Sequence, residues 1–176
     1  PYPGIWFQLF GGYQNLKNDL LYSYSSLSDT SIGTVSTMLA FTQIHTDNVY
    51  AGIKLTYDYK DVLSLSAHYI YRNWNSDNNE YLLAVKPENE ASISLNVHPT
   101  SALQLNAGFD YISRKEEATS FNMSDISDLH IGTSYNVFKG VSIYAQVHNL
   151  LNKKYQYYLG YPAEGFNFLG GLSFRF

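Results

Sequence analysis

Cysteine is absent from the 176-residue chain, which excludes a disulfide framework and any thiolate metal site. Stability must come from strand pairing and packing. Long apolar runs are absent too: no stretch approaches the roughly 18 uninterrupted apolar residues of a membrane helix, so a helical membrane protein is excluded. Cations are scarce, with 11 Lys plus Arg, a net charge of -4 and no basic stripe, which argues against nucleic acid as a partner. No Met and no charged-then-apolar leader stands at Pro1, so the chain is expected to be processed or a piece of something longer. Aromatic side chains are abundant: 16% of the residues, with 17 Tyr against 2 Trp and 10 Phe. Such amphipathic rings suit strands that end at membrane interfaces, although a tyrosine-rich soluble sandwich would share them.

Side chains alternate along a strand with period two, and from residue 49 that alternation is regular. Val49, Ala51, Ile53, Leu55, Tyr57 and Tyr59 share one parity with Leu63, Leu65, Ala67, Tyr69 and Tyr71, then with Ala91, Ile93, Leu95 and Val97. The same odd face runs on through Leu103 to Tyr111, Leu129 to Val137 and Val141 to Val147. In the last run the greasy face is the even one, Phe166, Phe168, Gly170, Leu172, Phe174 and Phe176. Opposing positions are mostly Ser, Asn, Gln, Gly and His, with Tyr50, Ile70, Tyr144 and Leu169 as apolar exceptions. A half-buried soluble strand would carry Lys and Glu there in quantity; a polar face this weakly charged suits a barrel interior.

Upstream the pattern is looser. Gly4 to Gln14 and Asp19 to Ser26 read as two short strands separated by a polar break at residues 15–18, with a turn at Ser26 to Ser31. Val35 to Ile44 and Val49 to Tyr59 read as a hairpin joined by His45 to Asn48. Connections then alternate between tight ones at residues 60–62, 99–101 and 138–140 and long ones at 75–89, 113–125 and 150–163. Outer-membrane barrels alternate in this way, with short periplasmic turns and longer extracellular loops. The expectation is an all-β, antiparallel up-and-down transmembrane β-barrel of about 8–10 strands, a single segment over residues 1–176.

The tail, Asn149 to Phe176, resembles the end of TonB-dependent outer-membrane receptors. The resemblance rests on Asn149, Leu150, Lys154, Tyr155, Gly160, Tyr161, Pro162, Gly165 and the terminal Phe176, over about 28 residues; Phe166 departs from the Arg often found there. It implies a non-enzymatic receptor in the outer membrane of a Gram-negative bacterium, taking up a siderophore, cobalamin, sugar or peptide. It further implies outer-membrane lipid, the barrel insertion machinery and the TonB system as partners. Phe174 and Phe176 would form the assembly signal. Such receptors resemble barrels of about 22 strands filled by a plug, and neither the plug nor the remaining strands are found here. The chain is therefore expected to be the C-terminal part of a larger barrel. The alternatives are a small stand-alone barrel, structural or lipid-modifying, and a soluble β-sandwich binding module.

No catalytic, cofactor or metal residue is assigned. His68, His98, His130 and His148 fall on the polar face, where hydrogen bonding in a polar interior accounts for them. Ser142, Ser173 and Asp110 share that face, so a hydrolase triad can be drawn on paper, but a face this rich in Ser produces such triples by chance. Asn73 to Glu80 lacks the glycine and the bidentate Glu of a calcium loop. Arg114 to Ser120 reads as an exposed loop tip. Parity excludes a two-residue turn between the strands ending at Val137 and starting at Val141, and pairing those two residues sets His130 opposite His148 as a lumen pair. Acidification would charge both imidazoles and loosen that rim.

Overall fold

The computed structural model describes residues 4–29, 34–76, 83, 85–114, 123–158 and 160–175; within residues 22–40 the description is of the backbone. The strands are β1 (Ile5–Asp29), β2 (Thr34–Tyr59), β3 (Leu63–Ser76), β4 (Pro87–Val97), β5 (Leu103–Arg114), β6 (Ile126–Phe138), β7 (Val141–His148), β8 (Gln156–Tyr158), β9 (Tyr161–Pro162) and β10 (Asn167–Phe174). Eight of them form one antiparallel up-and-down sheet in the order β1-β2-β3-β4-β5-β6-β7-β10, and β8 pairs with β9 alone. Among the described residues β1 and β10 are open edges, so this stretch is a curtain of strands rather than a closed barrel.

The four upstream runs are two long strands, which corrects the hairpin expected at His45–Asn48. β1 and β2 have 25 and 26 residues, far beyond the ~9–11 that cross a bilayer. The turn-like residues are held in β2 by partners on β1. Tyr13 and Asn15 donate to Asp47, Asn48 donates to Gln14, and Thr46 donates to Asp19. The break at residues 15–18 is a β-bulge, with the register shifting between Leu16 and Asp19. That shift exchanges the faces, so Asp19 and Leu21 join the even-numbered face of β2.

Following the pairing from strand to strand, odd residues meet odd residues from β1 below its bulge to β7, and β7 meets the even residues of β10. One apolar face thus runs from edge to edge, and Phe7, Ile93, Leu105, Ile143 and Leu172 all stand exposed on it. No second sheet covers it among the described residues, and a soluble sandwich needs one.

The β6–β7 turn differs from its expected form. Phe138 pairs with Val141 across Lys139 and Gly140, a two-residue turn in which Gly140 takes φ 82°. An irregularity between Asn136 and Phe138 absorbs the extra residue, so both strands keep their greasy residues on one face. Two apolar exceptions on the polar face also find an explanation. Tyr50 and Tyr144 lie across Gly12 and Gly171 of neighbouring strands, where a Cβ would collide with the ring.

Candidate functional site

At the loop end the described residues of three connections lie over the polar face and bury the few apolar residues found there. The segment leading into β4 brings Leu83 and Val85 onto Leu21, Ile44 and Trp74. Lys86 fixes it: its Nζ lies 2.6 Å from Asp19 Oδ2, which also accepts from Thr46, and 4.7 Å from the centre of the Trp74 ring. The connection from β7 to β10, expected as a plain loop over residues 150–163, contains the β8–β9 hairpin, closed by Gly160 at φ 84°.

Arg114 clamps these segments together. It is 8% exposed, not an exposed loop tip. Its Nε donates to the Val85 carbonyl, Nη1 to Ser124, and Nη2 to Gln156 and Tyr157, at 3.1–3.4 Å. Burial lowers its pKa, opposed by the charge of Asp125. Between the clamped segments lies a cavity of about 550 Å³. Ile112, Met123, Ile126, Tyr157, Tyr158 and Tyr161 line it, with Arg114 and Lys86 as its cations. Its volume falls in the range of small-molecule sites, which are mostly apolar with a few placed polar groups. A signal for it was present in the sequence: Ile112 and Ile126 sit on the polar face at strand ends, and apolar residues there need a cover.

The tail residues build the knot beneath this hairpin. Asn149 takes φ 47° and is 2% exposed. Its amide donates to the Lys153 and Glu164 carbonyls and its Oδ1 accepts from the Lys153 N–H, while its own N–H donates to Asp128. Tyr155, buried, donates to Asp128 Oδ2 at 3.1 Å. Burial, then the hydrogen bond with Tyr157 and the charge of Asp128, raise its pKa far above the usual phenol range. Leu150 donates its N–H to Leu129, and Gly165 passes beside Asn152, whose Oδ1 accepts from Phe166. Lys154, Tyr161 and Pro162 are exposed, the last two within β9. Phe174 pairs with Val141 and is exposed; Phe176 lies outside the described residues. Asn149→Ala removes three hydrogen bonds and places Ala in the left-handed region. It should cost about 2–4 kcal/mol of local stability, read as faster proteolysis between residues 150 and 163.

The His130 and His148 rings stack with centroids 5.9 Å apart, and His130 lies over Gly108 with Nδ1 3.8 Å from Asp110. Ser142 lies six residues from His148 along β7, donates to Asn136 and pairs with Ser173, so the paper triad is not assembled. Among the described residues no three His, Asp or Glu side chains converge as a metal site.

No protein-family model matches the chain, and no curated protein matches it. Solved structures do. The chain is similar to the copper transporter OprC at 14% identity and a TM-score of 0.70, over 100% of its own length and 30% of that protein's. The ferric enterobactin receptor PfeA of Pseudomonas aeruginosa matches at 19% identity and a TM-score of 0.68, over 99% and 30%. OmpT, an outer membrane protein of Vibrio cholerae, matches at 16% and 0.55, over 99% and 52%. The architecture resembles that of TonB-dependent receptor barrels. Identities this low speak to the fold, and the chain spans less than a third of OprC and PfeA.

Proposed function

We propose that the chain is a stretch of wall from an outer-membrane receptor barrel of the TonB-dependent kind, non-catalytic, serving uptake of a scarce small ligand into a Gram-negative cell. The observation that carries the reading is the apolar face across all eight strands, uncovered among the described residues, with Leu83 and Val85 packed on the opposite face. A wall standing in lipid needs that division. Lipid can solvate one side, while ligand-contacting loops must reach the lumen side. The cavity behind Arg114 is then part of the surface that meets the ligand. Energy coupling would come from a plug and the TonB system, both supplied from outside these residues.

Fractionation tests the reading. The protein should partition with the outer membrane, require detergent for extraction and migrate faster in SDS before boiling than after. Recovery in a soluble fraction without detergent would overturn it. The terminal aromatics are proposed as the signal read by the insertion machinery. Deleting Phe176 should lower the outer-membrane level severalfold while the protein that does insert keeps its heat-modifiable migration; an unchanged level would remove that role.

A further inference from the structure

An arginine and a lysine in the wall of one cavity suggest a site for an anion, but the partners of Arg114 and Lys86 argue against it. Of the five N–H groups on a guanidinium, four on Arg114 are given to the carbonyls of Val85, Ser124, Gln156 and Tyr157. Its charge is opposed by Asp125, which in turn accepts from the Tyr111 hydroxyl at 2.9 Å. Lys86 is matched as closely. Its Nζ lies 2.6 Å from Asp19 Oδ2 and over the Trp74 ring, and the two side chains of that ion pair are only 17% and 12% exposed. Each cation in the wall thus has a carboxylate of its own.

An anion entering this cavity would have to strip carbonyls from Arg114 or displace Asp19 from Lys86. Breaking a buried, hydrogen-bonded charge pair costs more than one new contact at the same cation returns. What the cavity offers instead is apolar and aromatic surface. Leu21, Met123 and Ile126 are its buried lining, and Tyr158 and Tyr161, exposed and paired with each other across β8 and β9, are its open side. Phenol rings and a thioether favour a flat aromatic partner, through edge-to-face packing and sulfur–ring contact. Phenol hydroxyls can bond a neutral oxygen or nitrogen on that partner without bringing a charge. The volume of about 550 Å³ is that of a small-molecule site.

We propose that this cavity binds an uncharged aromatic small molecule, and that Arg114 and Lys86 shape the cavity without serving as anion receptors. The proposal rests on the reading of the loop end as the ligand-contacting surface of an outer-membrane wall, and it names the chemical class of that ligand. Asp19 and Asp125 are then specificity-determining residues, because each holds a cation away from anionic competitors.

Two phenyl diazirines with the same ring test it, one carrying a hydroxymethyl group and the other a carboxylate, each photolysed at equal concentration with isolated outer membranes that hold the protein. The neutral probe should modify Met123 and Tyr158 roughly tenfold more than the carboxylate does, because a charge entering the cavity loses its hydration with no free partner to replace it. Excess benzyl alcohol should abolish that labelling. Asp19→Asn keeps an acceptor for Thr46 but leaves Lys86 without its carboxylate, so the carboxylate probe should then gain severalfold while the neutral probe is unchanged. Carboxylate labelling equal to or above neutral labelling in the wild type would overturn the ligand class. The same ratio of the two probes in Asp19→Asn would overturn it too, as would saturable labelling by neither. Fractionation of the same cells reads the outer-membrane placement separately. Protein recovered in the soluble fraction would overturn that reading, whereas membrane-bound protein that prefers the carboxylate overturns only the ligand class.

Discussion

Arg114→Ala should open the loop end without unfolding the sheet beneath it. Four backbone carbonyls in three segments accept from this one guanidinium, and truncation takes that donor from all four at once. Loss of hydrogen bonds from a buried charged group at this density should cost about 3 kcal/mol or more, felt locally. Limited proteolysis should then cut the chain between residues 83 and 87 and between 156 and 162, while heat-modifiable migration persists. Arg114→Lys should fall between the two, because an ammonium keeps the charge but cannot reach three directions in one plane. Equal protease resistance of wild type and Arg114→Ala would show that the clamp does not hold the cavity together.

A second large effect separates the two faces of one strand. Ala107 points outward near the middle of β5 and its neighbour Asn106 points inward. Arginine at a lipid-facing midplane position costs about 2–4 kcal/mol, whereas interior positions of a barrel accept polar changes. Ala107→Arg should therefore lower stability in urea titrations of the lipid-embedded protein by that amount, and Asn106→Arg by less than about 1 kcal/mol. A sheet whose odd face stood in water would give the opposite order, since arginine there would be solvated.

The alternation made much of the sheet legible, because the faces from Val49 onward and the parity change before β10 follow from residue types with period two. It failed where polar residues occupy strand interiors. His45 to Asn48 carry a turn composition, yet their side chains are satisfied across the strand pair by Tyr13, Gln14, Asn15 and Asp19, and a sequence window shows no such partner 30 residues away. The number of strands in the sheet, eight, follows from that merger and from the bulge after Leu16. The clamp was illegible for a similar reason. Arg114 heads a charged run, and only the folded loops show that its donors meet carbonyls instead of water. The tail motif was legible as a resemblance, but its physical content, a left-handed Asn149 bonded to both ends of its own loop and to Asp128, needed coordinates.

The central claim, that one face of this sheet stands in lipid, is most directly tested by photolabelling isolated outer membranes with a carbene reagent confined to the hydrocarbon phase and mapping the modified residues. The account predicts label on Leu105, Ala107, Ile143 and Leu172 and none on Gln104, Asn106, Ser142 and Ser173. Label distributed evenly over adjacent residues of β5 and β7, or confined to the second set, would contradict it.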